Sequence, residues 1–223
     1  MLRSSGAAKE KLHTGKDKQE GRIMGHFYFV RHGQTIWNVE NKICGATDIQ
    51  LTELGHRQAE EAGREILRQK LQIDEILYSP LSRAAETARH ISQVTGIPAR
   101  MELRLKEQNF GKYESTPRNG AEFQRAKMDF VSSYEGGESM LRLCQRIYNL
   151  LDEIREESEE KTYLLVAHNG ISRAVHSYFN DMSNEAFAAF GIKNCEIRRY
   201  DFPREEAAEQ KSPKRVQKEH KNL

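Results

Sequence analysis

Residues 27–35 read Phe-Tyr-Phe-Val-Arg-His-Gly-Gln-Thr, an apolar run that ends abruptly in a cation, an imidazole and a glycine. A buried strand with this pattern delivers reactive side chains to its C-terminal end, where open α/β sheets hold their ligands. His32 is then a candidate nucleophile beside the fixed charge of Arg31, and attack on a phosphoryl group is the chemistry that most naturally wants this pair. Two more apolar runs end the same way: Ile76-Leu77-Tyr78 stops at Ser79-Pro80 with Arg83 just beyond, and the run from Tyr163 to Ala167 ends in His168-Asn169-Gly170. In a parallel sheet these three ends share one edge. Two arginines and two histidines in one crevice repel one another unless an anion neutralises them. A phosphate dianion does so, and the planar guanidinium fork matches its oxygens. Gly33 lets the backbone come close to the bound group.

The elements that must position these residues follow from periodicity. Strands are expected at 26–32, 76–78, 99–105 and 163–167, with an alternating edge strand at 195–202. Leu51, Leu54, Ala59, Ala62, Ile66 and Leu67 recur at helical spacing behind a Thr52 cap. Ser82 is expected to cap a helix running to about Val94, stopped by Gly96 and Pro98. Met140 to Ile154 form a strong amphipathic stripe, and a helix follows from about Ile171. The glycine-rich section 106–137 predicts one helix near 120–132. Strands alternating with helices imply a three-layer α/β/α sandwich around a mostly parallel sheet.

The chain has 223 residues, enough for one well-cored domain, expected over 25–202 with 106–137 as a lid-like insert. Its net charge of +2 is unevenly placed: residues 1–24 carry +3 and 203–223 carry +2, so the stretch between carries −3. Both ends lack apolar periodicity and read as disordered, solvated segments. Met24-Gly25 resembles an original start, so much of 1–23 is expected to be an added leader. Cys44, Cys144 and Cys195 show no paired spacing, and reduced thiols in a cytoplasmic protein are the simplest reading. No run is long enough to cross a membrane. Nucleic acid is not the expected partner despite the basic tails, and no apolar stripe fixes an oligomeric state, although a homodimer is compatible with the pattern.

Beyond the three strand ends, the chain resembles the histidine phosphatase superfamily, the phosphoglycerate mutase-like fold. The resemblance rests on an ordered set: Arg31-His32-Gly33-Gln34-Thr35 with Trp37-Asn38; Gly45-Ala46-Thr47-Asp48 with Leu51-Thr52 and Gly55; Ser79-Pro80-Leu81-Ser82-Arg83 with Glu86-Thr87-Ala88; Glu107 with Phe110-Gly111; Gly136-Gly137-Glu138-Ser139; and Ala167-His168-Asn169-Gly170. The resemblance implies that His32 becomes phosphohistidine, that Arg31, Arg83 and His168 bind the equatorial oxygens, and that Glu107 protonates the leaving oxygen and then activates water. It also implies that Asn38, Thr35, Cys44, Gly45 and Asn169 contact or line the substrate site.

Competing readings attach to several of these. Asn38 could serve as a turn or cap residue, and Cys44 is more naturally a small lining side chain than a nucleophile. Zinc held by His32, His168 and Glu107 is opposed by cationic neighbours and by the absence of ligand spacing, so no metal and no cofactor are expected. Only about thirty residues separate Glu107 from Glu138, without an adjacent arginine pair. That compact section favours a phosphatase acting on a small phosphorylated metabolite over a cofactor-dependent phosphoglycerate-type mutase. A non-enzymatic module binding phospho-ligands or nucleic acid through the tails is the third reading.

Overall fold

The computed structural model describes residues 23–203, so the expected leader and tail lie outside the described residues except for Ile23, Met24 and Pro203, which belong to strands. Strand β1 (Ile23–Arg31) leads into a one-turn helix α1 (Ile36–Val39) and then α2 (Glu53–Arg68). Next come β2 (Glu75–Tyr78), α3 (Ser82–Thr95) and the short β3 (Ala99–Met101). Helices α4 (Ala121–Ala126) and α5 (Met140–Glu157) precede β4 (Tyr163–Ala167), α6 (Asn169–Phe179), α7 (Asn184–Ala189) and β5 (Ile197–Pro203). The sheet order is β3-β2-β4-β1-β5. β1, β2, β3 and β4 pair in parallel, and β5 closes one edge antiparallel to β1.

The layering follows from the pleat, which sends successive side chains to opposite faces. Phe27, Phe29 and Leu165 pack with Leu143, Ile147 and Leu151 of α5 and with Ile171 and Val175 of α6. Tyr28, Val30, Leu164 and Val166 pack with Ala62 and Ile66 of α2 and with Ala84, Ala88 and Ile91 of α3. Both faces of β1 and β4 are thus covered, which is why these strands read as continuous apolar runs. The expected α/β/α sandwich and the shared strand edge are both present. A third, smaller cluster of Ile43, Phe110, Tyr113, Phe123 and Tyr134 lies apart from the sheet.

Several local expectations are corrected. The third strand stops at Met101, and Leu103–Leu105 form a 3₁₀ turn. The helix expected over 120–132 ends at Ala126, because the Asp129 carboxylate accepts the Val131 and Ser132 N–H groups at 3.1 and 3.0 Å and turns the chain. Ser82 does not cap α3: Leu81 is the N-cap, and the Asp48 carboxylate accepts from Ser82 N and Oγ at 2.8 and 2.7 Å. Helix α6 starts at Asn169, two residues earlier than its apolar stripe suggests. The Thr52 cap and the left-handed Gly96 stop match expectation. Among the described residues, no helix is long and apolar enough to cross a membrane.

The chain leaving β1 crosses the first turn of α2 backbone to backbone. A Cβ at Gly33 would lie 2.4 Å from Gly55 O, and one at Gly55 would lie 2.2 Å from Gln34 O. Replacing Gly55 by alanine is expected to destabilise the fold by about 1–3 kcal/mol, the usual cost of overpacking, read as a lower urea midpoint. An unchanged midpoint would mean that α2 can move away freely.

Candidate active site

His32 sits just past the end of β1, almost wholly buried. Its backbone is tied on both sides: N–H donates to Ala167 O at 2.9 Å, and its carbonyl accepts from Asn194 Nδ2 at 2.7 Å. The ring Nδ1 lies 2.7 Å from Gly33 O. A carbonyl can only accept, so Nδ1 carries the proton and the neutral ring keeps its lone pair on Nε2. Burial, then Arg83 and Arg31, hold His32 well below the usual histidine range. His168, at the end of β4, is fully buried with Nε2 2.6 Å from Ser79 Oγ. The two rings stand 5.2 Å apart. Burial, Arg83, His32 and Arg31 push His168 well below its ordinary value as well.

The two arginines reach the same edge from different elements. Arg83, from the first turn of α3, is fully buried and donates through Nη2 to Gly45 O at 2.7 Å and through Nη1 to Thr47 O at 2.9 Å. Arg31 donates through Nη1 to Ile192 O at 2.7 Å. Burial, with Arg118 adding to it, lowers Arg31 to about 10, so it stays charged at neutral pH. Neither guanidinium pairs with a carboxylate among the described residues. Among the described residues, Arg31 Nε, Arg83 Nε and His168 Nδ1 are buried polar atoms with no hydrogen-bond partner. Such a set suits an anion whose oxygens accept several charge-assisted bonds at once.

Loops rather than acids hold these cations in place. Glu114 accepts from the N–H groups of Gly45, Ala46, Thr47 and Phe110, clamping the 44–47 loop whose carbonyls orient Arg83. Gly45 must be glycine, since a Cβ there would sit 2.2 Å from Gln108 O. Thr87 Oγ1 accepts from Gly33 N and donates to Arg83 O, linking the loop after His32 to α3.

Glu107 is buried, with Oε2 accepting from Gly170 N at 2.8 Å and Oε1 from Gln108 N at 2.9 Å. Gly170 lies in the first turn of α6, and a side chain there would strike Glu107 Oε1 at 2.4 Å. The carboxylate therefore rests on a helix N-terminus, and its field acts on Arg31, Arg118 and Arg173. It borders a cavity of about 240 Å³ that Cys44, Asn169, Phe110, Phe123 and Phe190 also line. Cys44 is pushed up to about 11, mainly by burial, and is no thiolate nucleophile at neutral pH.

Two of the sequence candidates have other employment. Thr35 is fully buried as the N-cap of α1, and its Oγ1 accepts from Asn38 N. Asn38 closes the reciprocal capping box, its Oδ1 accepting from Thr35 N at 3.0 Å and from Asn194 Nδ2 at 3.3 Å. Asn38 thus serves as a cap residue through Oδ1, and the cap makes no use of its Nδ2 donor. Asn169 lines the cavity, while its Oδ1 accepts from Ile192 N at 3.0 Å. Sequence reasoning gave Ser79 and Asp48 no role, although both stand in the quoted motifs, and missed Glu114, Asn194 and Arg173. Of the last three only Arg173 carried a legible signal, being the one Asp, Glu, Lys or Arg residue of α6. His56 and His90 meet with Nδ1 and Nε2 2.9 Å apart, and with Glu86 they form a trio of metal-ligand types. The contact is satisfied as N–H···N, and Arg89 engages Glu86 at 2.7 Å.

Known proteins resemble this chain in sequence and in fold. The sequence profile described as histidine phosphatase superfamily (branch 1) matches residues 27–212. A protein of Yersinia pestis (strain Pestoides F) named probable phosphoglycerate mutase GpmB is 32% identical over 182 residues, covering 78% of this chain and 84% of its own length. The native structure of a mycobacterial glucosyl-3-phosphoglycerate phosphatase superposes with a TM-score of 0.68 at 26% identity, covering 78% of this chain and 89% of that one. A complex of that phosphatase with inorganic phosphate gives a TM-score of 0.64 at 25% identity, covering 78% and 88%.

The two neutral histidines carry a pH signature. Unfolded, each binds a proton near pH ~6.5; folded, each resists it, so below that pH the unfolded chain holds more protons. Stability is then fullest above about pH 6.5 and falls on acidification by up to about 1.4 kcal/mol per pH unit for each ring. Urea midpoints measured from pH 7.5 down to 5.5 should fall, and His32→Asn should make the fall shallower. An equal slope in wild type and variant would mean that His32 is protonated in the fold.

Proposed function

The chain belongs to the histidine phosphatase superfamily, and from that membership we propose that it hydrolyses small phosphomonoesters through a phosphohistidine on His32, without a metal. The observation that carries the reading is the His32 Nδ1 contact to Gly33 O, which leaves Nε2 unprotonated in a pocket of fixed positive charge. In the first half-reaction Nε2 attacks phosphorus, the N–P bond forms, and the ester O–P bond breaks. Glu107 gives its proton to the departing oxygen. Arg31, Arg83 and His168 stabilise the charge spread over the three equatorial oxygens, the work a metal would otherwise do. The dianion's field favours protonation of His168, which is neutral without it. In the second half Glu107 takes a proton from water, the oxygen attacks phosphorus, the N–P bond breaks, and inorganic phosphate leaves.

A mutase is the second reading. The Yersinia relative's name favours it, as does the fold's gathering of Arg118 and Lys127, separated in sequence, beside Arg173 at one cavity. The compact 106–137 section favours hydrolysis, because a mutase must shield its phosphoenzyme from water. Incubation with 3-phosphoglycerate and 2,3-bisphosphoglycerate separates the two. Phosphate release without 2-phosphoglycerate supports the phosphatase, and isomerisation without phosphate release rules it out.

Glu107→Gln should slow hydrolysis of an alkyl phosphate about 10²–10⁴-fold, the range of general-acid contributions. It should slow nitrophenyl phosphate much less, because that leaving group needs no proton. Equal losses on both esters would remove Glu107 from the proton-donor role.

A further inference from the structure

Away from the phosphate pocket, α2 and α3 bring two imidazoles and a carboxylate together. His56 lies on α2, while Glu86 and His90 lie four residues apart on α3 and so share a face. One ligand atom from each stands within 4.8 Å of the others, the single such cluster of metal-ligand types among the described residues. The backbones beneath are fixed independently of these side chains, since Ala62 and Ile66 of α2 pack with Ala84, Ala88 and Ile91 of α3. Ligands carried on two packed helices are held close to their working positions before an ion arrives.

The hydrogen bonds identify the donor atoms. Arg89 Nη2 lies 3.3 Å from His90 Nε2, and a guanidinium can only donate, so Nε2 holds a lone pair. The ring proton is then on Nδ1, which faces the Glu60 carboxylate at 3.8 Å. A carboxylate behind the far nitrogen of a metal-ligating histidine is the usual orienting partner. His56 Nδ1, 2.9 Å from the same lone pair, donates to it, and an ion between the rings takes the place of this proton. Two nitrogens on a tetrahedral zinc stand about 3.3 Å apart, so the rings need to part only slightly. Both Arg89 bonds to Glu86 end on Oε2, which leaves Oε1 for an ion. The Arg89 side chain is 46% exposed, so it withdraws from His90 Nε2 at little cost. Burial, then Arg89 and His56, lower His90, which is therefore neutral at pH 7 and ready to bind.

We infer that His56 Nδ1, His90 Nε2 and Glu86 bind one divalent transition-metal ion of zinc's class, which ties α2 to α3. Two imidazoles and one carboxylate suit zinc, whereas magnesium prefers an all-oxygen shell. The ion has no part in the proposed phosphoryl transfer, and the site does not rest on that reading. It lies behind the loop that follows His32: Gly55, next to His56, packs against Gln34, and Thr87, next to Glu86, accepts from Gly33 N. The ion thus braces the two helices on which that loop rests.

Calorimetric titration of the full-length protein with zinc chloride, after a chelator has removed any metal, tests the site. One zinc per chain should bind, and magnesium chloride should give no binding heat. His56→Gln, His90→Gln and Glu86→Gln should each weaken zinc at least about ten-fold, the least that loss of an orienting partner costs. Zinc should raise the melting temperature of the wild type and not of these variants. Melting without zinc checks that each variant is folded, Glu86→Gln being the mildest change because its side chain is partly exposed. His32→Ala should bind zinc as the wild type does. No zinc binding to the wild type, or binding that survives all three substitutions, overturns the inference. Binding lost in His32→Ala assigns the ion to the phosphate pocket and overturns it as well.

Discussion

Buried positive charge, oriented by backbone carbonyls instead of by acids, is the constraint on which the rest of this structure depends. Arg83 is wholly enclosed and, among the described residues, its guanidinium is answered only by Gly45 O and Thr47 O, and that of Arg31 by Ile192 O. A carboxylate at either position would neutralise the site and remove its affinity for an anion. Carbonyl dipoles orient the guanidinium and leave its charge in place. The arrangement works only if the carbonyls cannot move, and the Glu114 clamp, the small Gly45 and the Asp48 contact to the start of α3 all serve that end. Burial, and after it the same charge, keeps His32 and His168 neutral, so the enclosure and electrostatics that would bind phosphate also prepare the attacking nitrogen.

What was legible in the sequence and what was not divide along the range of the interactions. β1 and β4 declare themselves as apolar runs because helices cover both their faces, and the α5 stripe declares one buried face. Arg31, His32, Arg83 and His168 could be brought together on paper because parallel strands share a C-terminal edge. The support of the α3 start could not be read, since Asp48 lies 34 residues from the Ser82 it engages. Glu114 looks like any loop glutamate until the fold aims four backbone N–H groups at it. Thr35 and Asn38 sit inside the motif around His32, yet much of their polar capacity closes a one-turn helix. A sequence places such residues near the chemistry without saying whether they touch the substrate or hold the residues that do.

The 106–137 section separates the two tasks of the site. Its aromatic cluster of Phe110, Tyr113, Phe123 and Tyr134 is a small core of its own, so this segment can vary without disturbing the sheet. In the proposed reading phosphate chemistry belongs to the sheet edge, while the space next to Glu107 is lined in part by the segment. Relatives named for a mutase and for a glucosyl-3-phosphoglycerate phosphatase share the fold at 32% and 26% identity, which is what a common phosphoryl site beneath a variable cover allows.

The central claim is that His32, held neutral among fixed cations, accepts the phosphoryl group. Rapid quench of wild-type protein turning over a labelled phosphomonoester, followed by peptide mapping, tests it most directly. A phosphoryl group on the peptide containing His32, lost in acid and retained in base, is the predicted result. Turnover with no adduct on that peptide, or an adduct that base removes, would contradict the account.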